Sequence, residues 1–242
     1  MIRVLIVRSY EELSLEAALR IADVVKSKPD AVLGFATGST PIGCYRELIR
    51  LHRVEGLSFS RVSTFNLDEY VGLPPEHPQS YHYYMFQNLF NHVDVEREKI
   101  HIPNGLAEDL EAECRRYEEA IKQSGGIDLQ ILGIGRNGHI GFNEPGSPFD
   151  SRTRVVKLSD QTRMDNSRFF KSLDEVPTHA ITMGIATIME AKRIILLASG
   201  EAKAEAVAKA VKGPKTVMVP ASALKDHPDC LFIVDREAAS LL

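Results

Sequence analysis

A chain of 242 residues is long enough to bury a sizeable core within one domain. Its 29 basic and 33 acidic residues leave a net charge of -4, which suits solubility and gives no basis for a nucleic-acid or anionic-membrane partner. Cys44, Cys114 and Cys230 are odd in number, far apart and without C-x-x-C spacing, so they read as reduced thiols of a cytoplasmic protein, neither a disulfide framework nor a metal knuckle. The opening M-I-R-V-L-I-V is too short for a signal-peptide core, and no apolar run approaches membrane-spanning length.

Arg3 to Val7 reads as a first buried strand. From Tyr10 to Lys28, Leu13, Ala17, Ala18, Ile21, Val24 and Val25 alternate with charged groups at helical spacing. Ala31 to Ala36 is a second strand, and T-G-S-T-P follows at 37 to 41. There Pro41 is expected in the first turn of a helix ending near His52, with Thr40 as its cap. Such a strand-turn-helix is either an anion site, because unpaired backbone N–H groups point out of a helix start, or only a helix start. It is not a phosphate-binding P-loop, since no G-K-S/T follows.

Val62 to Asn66 is a third strand, delivering Asp68, Glu69 and Tyr70 to its carboxyl end. Two adjacent acids there are either ordinary solvated loop residues or a means of placing one carboxylate over a ligand, its pKa tuned by burial and by its neighbour. The aromatic stretch from Tyr81 to Phe90 is expected to be a helix packed on the sheet rather than a cofactor box. Glu108 to Ser124 is a charged amphipathic helix closed by Gly125-Gly126.

The segment from Leu129 to Pro145, L-Q-I-L-G-I-G-R-N-G-H-I-G-F-N-E-P, organises the chain. Its apolar half reads as a strand buried on both faces. Glycines at 133, 135, 138 and 141 then free the backbone to turn tightly and approach a ligand, beside Asn137, His139 and Glu144. A lone histidine in such a loop is either a hydrogen-bonded structural group or a catalyst, and loops at strand ends are where α/β proteins bind ligands.

Beyond it, Arg152, Arg154 and Lys157 mark a basic segment, and Asp160 to Leu173 is polar and helix-like, carrying Arg163 and Arg168. Ala180 to Met183 is a short strand, residues 184 to 191 a short helix, and Ile194 to Ala198 a further strand. A helix over Ala202 to Val211 would place Lys203 in its first turn, unfavourable for a cation unless an anion sits there. Val217 to Val219 and Leu231 to Val234 are expected to finish the sheet. Strands alternating with helices throughout predict a three-layer α/β/α fold, Rossmann-like, with a mostly parallel twisted sheet and helices on both faces. A Rossmann dehydrogenase is disfavoured, because G-I-G-R-N-G-H follows a late strand and runs into F-N-E rather than a long apolar helix.

Three segments together resemble the glucosamine-6-phosphate deaminase family: F-A-T-G-S-T-P at 35 to 41, F-N-L-D-E-Y-V-G-L-P at 65 to 74 and G-I-G-R-N-G-H-I-G-F-N-E-P at 133 to 145. N-S-R-F-F at 166 to 170 and G-E-A-K at 200 to 203 extend the likeness over nearly the whole chain. The resemblance implies conversion of D-glucosamine 6-phosphate and water into D-fructose 6-phosphate and ammonia, with neither metal nor cofactor. It implies Asp68 as the base that moves a proton from C2 to C1 of the opened sugar, and His139, oriented by Glu144, as the group assisting ring opening. Asn137 stands where some members carry aspartate, a neutral support for the histidine. The phosphate would be gripped by the turn Gly38-Ser39-Thr40 together with Arg168 and Lys203, although Ser39 stands where many members have glycine.

By the same likeness residues 1–242 form a single sugar-phosphate isomerase/deaminase domain with a helical lid at about 158–183. The partner is a small sugar phosphate, with no nucleic acid and no membrane, and the chain is compatible with a monomer or a homo-oligomer. Some longer members are activated by N-acetylglucosamine 6-phosphate through a C-terminal extension and basic residues near the lid. This chain keeps Arg154 but has Val156 where those members have lysine, and it ends at Leu242, so no such activation is expected. The alternative activity is that of the 6-phosphogluconolactonases, which share the glycine-rich loop.

Overall fold

The computed structural model describes residues 2–167 and 170–242. In chain order the regular elements are β1 (Arg3–Val7), α1 (Tyr10–Ser27), β2 (Val32–Phe35), α2 (Ile42–Glu55), β3 (Ser63–Asn66), β4 (Asp68–Tyr70), α3 (Tyr81–Asn88), β5 (Ile100–His101) and α4 (Leu110–Gln123). They continue with β6 (Leu129–Leu132), β7 (Arg154–Lys157), α5 (Asp160–Ser167), β8 (His179–Thr182), α6 (Ile185–Met189), β9 (Ile194–Ala198), α7 (Ala204–Lys212) and β10 (Cys230–Asp235).

Seven strands form one sheet in the order β1-β10-β9-β6-β2-β3-β5, every pair parallel. β2, β6 and β9 are buried along their whole length, as parallel strands covered on both faces must be. The pleat sorts their side chains into two cores. Leu33, Phe35, Leu129 and Ile131 pack against α1, α2 and α3, while Val32, Ala36, Phe65 and Leu132 pack against α4, α6 and α7. The expected three-layer α/β/α fold is what forms.

Helix ends follow local chemistry. Ser9 and Asp109 cap α1 and α4 by accepting from the N–H groups of Glu12 and Ala112, and Gly56 ends α2 at φ 72°. At α2 the expectation needs correction: Pro41 itself occupies the cap position and Thr40 makes no capping bond. The Gly43 N–H is satisfied instead by the Tyr10 hydroxyl at 2.8 Å.

Two further corrections bear on the site. Val217–Val219 is no strand of the sheet, and only an isolated bridge joins Thr216 to Val219. Pro220, which lacks an N–H, immediately follows this short stretch, so no ladder can extend. Val219 packs instead against the glycine-rich loop, its Cγ1 lying 2.8 Å from where a Cβ on Gly138 would stand. Residues Asp68–Tyr70, expected as a loop, and the basic segment Arg154–Lys157 are strands. They flank β8 in a separate antiparallel sheet of order β4-β8-β7. Leu67 joins the two sheets, its carbonyl accepting from the Met183 N–H at 2.7 Å.

Strand order reverses between β2 and β6: the chain runs outward through β2, β3 and β5, then returns beside β2 and continues outward on the other side through β9 and β10. Loops leaving the carboxyl ends of strands on either side of such a switch point diverge and leave a crevice. Here those loops are residues 36–41 after β2 and 133–145 after β6.

Candidate active site

The crevice opens into a cavity of about 540 Å³ whose walls include Gly38, Ser39, Thr40, Asp68, Tyr81, Tyr84, Arg136, His139 and Lys203. The expected acid, the expected imidazole, the turn after β2 and the expected lysine therefore share one space.

Asp68 begins β4 and is only 4 % exposed. Burial, and secondarily the neighbouring Glu69 charge, pushes its carboxyl well above the usual aspartate range. Glu69 faces elsewhere. Its carboxylate accepts from the N–H groups of Tyr70, Tyr81 and His82 at 2.8, 2.9 and 2.8 Å, tying β4 to the first turn of α3. Burial lifts it to about 7 against the opposing pull of those three donors. The two adjacent acids are thus divided between cavity and scaffold. The aromatic helix divides likewise: Met85 and Leu89 enter the core, whereas Tyr81 and Tyr84 face the cavity.

His139 is held by a relay rather than by Glu144 directly. Its Nδ1 lies 2.7 Å from Asn137 Oδ1, and Asn137 Nδ2 donates to Glu144 Oε2 at 2.7 Å, whereas Nδ1 and Glu144 Oε2 are 3.6 Å apart. Glu144 thus reaches the ring through Asn137. A carboxylate can only accept, so the Asn137 amide must donate to it and present its oxygen to the ring. The imidazole then carries its proton on Nδ1, and Nε2 becomes its proton acceptor. Glu144 is held in turn from α5, accepting from the Thr162 hydroxyl and, at 3.5 Å, from Ser159. Gly135 forms the floor beneath the ring: a Cβ there would stand 2.1 Å from His139 Cε1.

At the other rim, the carbonyls of the turn after β2 are engaged from behind. Tyr84 donates to Gly38 O at 2.5 Å, and the Tyr10 hydroxyl lies 3.2 and 3.0 Å from Ser39 O and Thr40 O. Gly38 adopts φ 101°, a conformation that disfavours any side chain.

Lys203 lies at the end of a 3-10 turn (Glu201–Lys203), immediately before α7 and one residue outside the expected helical first turn, and makes no capping bond. Its Nζ donates to Ile134 O at 2.7 Å, bracing the glycine-rich loop. Asp235 sets this turn by accepting from the Ser199 hydroxyl and from the Gly200 N–H at 3.0 Å.

Arg168, the remaining expected phosphate ligand, lies outside the described residues. The expected lid stretch contains α5, a 3-10 turn at Leu173–Glu175 and strand β8, with Thr162 and Phe170 on the cavity wall. Sequence reasoning missed Tyr10, Tyr81, Tyr84, Arg136 and Thr182. Tyr81 and Tyr84 carried one signal, the aromatic density of their stretch, and Arg136 another, its place inside the glycine-rich loop.

Among the described residues, no three His, Cys, Asp or Glu side chains gather as metal ligands, and no helix is long and apolar enough to cross a membrane. All three cysteines are buried, and burial raises each thiol.

Known proteins are similar to this chain in sequence and fold. The family described as glucosamine-6-phosphate isomerases/6-phosphogluconolactonase matches residues 8–232. A glucosamine-6-phosphate deaminase of Thermoanaerobacter pseudethanolicus is 58 % identical over 240 residues, covering 99 % of this chain and 95 % of its own. The solved structure of a monomeric glucosamine-6-phosphate deaminase superposes with a TM-score of 0.98 at 57 % identity, covering 100 % of both chains. A 6-phosphogluconolactonase from Trypanosoma cruzi, 20 % identical with a TM-score of 0.81 and covering 100 % of this chain and 97 % of its own, shares the fold. The chain belongs to the glucosamine-6-phosphate isomerase/6-phosphogluconolactonase family, within its glucosamine-6-phosphate deaminase branch.

Proposed function

We propose that this chain converts D-glucosamine 6-phosphate and water into D-fructose 6-phosphate and ammonia. The observation that carries the reading is the shared cavity: a buried carboxylate and a relay-held imidazole open onto one space, with a glycine turn and a lysine at its rim. The phosphate dianion sits at the turn Gly38-Ser39-Thr40, where the start of α2 offers backbone N–H groups, with Lys203 and Arg168 as its cations. His139 Nε2 takes the proton of the anomeric hydroxyl and returns it to the ring oxygen, opening the pyranose.

Asp68 then removes the C2 proton. The C2–H pair forms a C1–C2 double bond while the aldehyde π pair moves onto O1, which takes a proton from the C2 ammonium to give an enolamine. The nitrogen lone pair then forms C2=N as the same carboxyl delivers its proton to C1, leaving an iminium carbon at C2. Water adds there as the C=N pair moves onto nitrogen, and a proton passes from the added oxygen to nitrogen. The oxygen pair then forms the C2 ketone, releasing the hydroxyl proton, as the C2–N bond breaks and ammonia departs. The C1 aldehyde is the electron sink for removal of the C2 proton and the iminium nitrogen the sink for water addition, so neither step calls on a metal. A desolvated carboxylate suits the proton transfer, because a general base works best with a pKa near that of the medium.

The chain acts as a single cytoplasmic domain in which the segment at about 158–183 serves as lid. Thr162 and Ser159 of that segment reach Glu144, so lid position and the His139 relay share hydrogen bonds. With Val156 in place of lysine, N-acetylglucosamine 6-phosphate is expected to leave the kinetics unchanged; sigmoidal kinetics that this sugar abolishes would contradict that. The activity is tested by mixing the protein with glucosamine 6-phosphate, without added metal or nucleotide, and measuring ammonia and ketose phosphate together. Equimolar release is expected, and lactone hydrolysis without ammonia release would favour the 6-phosphogluconolactonase reading instead.

A further inference from the structure

The three-stranded sheet presents one row of side chains to the loop that carries His139. Asp68, Thr182 and Arg154 are register partners across β4, β8 and β7, and directly opposed residues of antiparallel strands project to the same face. Each meets a successive residue of the loop. Asp68 Oδ2 lies 3.4 Å from where a Cβ on Gly141 would stand, and Thr182 Oγ1 lies 2.9 Å from the same point. The Thr182 hydroxyl accepts from the Phe142 N–H at 3.1 Å. Arg154 Nη1 donates to Asn143 Oδ1 at 2.8 Å. Asn143, wholly buried, turns its amide nitrogen onto Ile140 O and Met183 O at 2.9 and 2.8 Å, and so fastens the loop to the residue following Thr182.

We propose that Thr182, with Arg154 acting through Asn143, is a positioning residue that sets the separation of Asp68 from His139. The inference rests on the reading that these two groups act on one sugar phosphate, and it explains why a catalytic aspartate sits on a separate small sheet. The loop residues between His139 and Glu144 are clipped to the same row that holds Asp68, so base and imidazole move as one body. The β6 end of the loop is held by the large sheet and by Lys203, which donates to Ile134 O, and neither contact reaches the strand that carries Asp68. Thr182 is wholly buried and its hydroxyl bonds with the loop backbone at Phe142, so it touches no sugar: its effect falls on the chemical step and not on binding.

The test is a pair of near-isosteric variants. Thr182→Val removes the acceptor for the Phe142 N–H while keeping shape, and Thr182→Ser keeps the hydroxyl. An error of about 1 Å in reacting geometry lowers rates on the order of 10²-fold. The expected result is a kcat lowered about 10- to 10²-fold in Thr182→Val with KM little changed, most of the loss restored in Thr182→Ser, and faster amide hydrogen exchange at Phe142 in the valine variant alone. Wild-type kcat in Thr182→Val, or equal losses in both variants, would overturn the proposal. Should Thr182→Val fail to fold, Arg154→Met breaks the same clip at its other end, with the same kcat loss expected and wild-type kcat overturning the inference. If the unaltered protein releases no ammonia, the functional reading falls, and Phe142 exchange still decides whether Thr182 holds the loop.

Discussion

The two sheets serve the cavity by different means. The seven-stranded parallel sheet contributes mainly loops: the turn after β2 and the glycine-rich loop after β6 bring backbone, small residues and one imidazole to a crevice fixed by strand order. The three-stranded sheet contributes a regular strand, and from it a carboxylate held deep enough to be starved of water. A crevice loop suits groups that must reach a ligand, while a buried strand suits a group whose proton affinity must be raised and whose position must hold. The cost falls on stability, because an acid raised in the fold opposes folding once it ionises.

Removing the charge from the small sheet should have the largest effect. Asp68→Asn is expected to lower kcat by about 10²- to 10⁴-fold, the range that general base catalysis supplies. The same change should raise Tm at neutral pH. Because the folded carboxyl is raised above its unfolded value, its contribution to stability is complete in acid and is lost as pH rises through the folded value. Asparagine does not titrate, so the gap in Tm should close below the ordinary aspartate range. An asparagine variant less stable than the parent at neutral pH would contradict the burial argument.

On the loop side, Gly135→Ala drives a methyl into the His139 ring and should reduce kcat on the order of 10²-fold, measured at saturating sugar phosphate. Lys203→Met removes the cation at the rim. It should raise KM about tenfold or more, the scale of one charged hydrogen bond, and reduce the preference for phosphorylated over free glucosamine. Unchanged discrimination would remove Lys203 from the phosphate site. The smallest effect is expected of Glu69→Gln. Taking away the negative neighbour lowers the Asp68 proton affinity, so the acidic limb of kcat/KM against pH should move to lower pH. A shift to higher pH would be the wrong sign.

The same division governs what could be read from the chain. The large sheet announces itself through long apolar runs and glycines: β2, β6 and β9 and the loop at 133–145 stand where sequence periodicity puts them. Of the small sheet only the central strand is legible, as the short apolar run Ala180–Met183, because its two flanking strands are short and mixed. Asp68–Tyr70 is three residues long, and Arg154–Lys157 reads by its ends as a basic segment. The Tyr10 and Tyr84 hydroxyl contacts to the turn after β2 join residues 29 to 46 positions apart, which no local pattern reports. Asn137 and Glu144 both stand in the sequence as supports of His139, but residue type does not carry the order in which they act. Asn137, two residues before the histidine, reaches the ring first and passes the contact on.

Asp68 as the group that carries the sugar proton is tested most directly in deuterium oxide. With the unaltered protein, glucosamine 6-phosphate should exchange its C2 hydrogen and yield fructose 6-phosphate bearing deuterium at C1, while Asp68→Asn, still folded, should leave C2 unexchanged. Exchange by that variant at the parental rate would contradict the account.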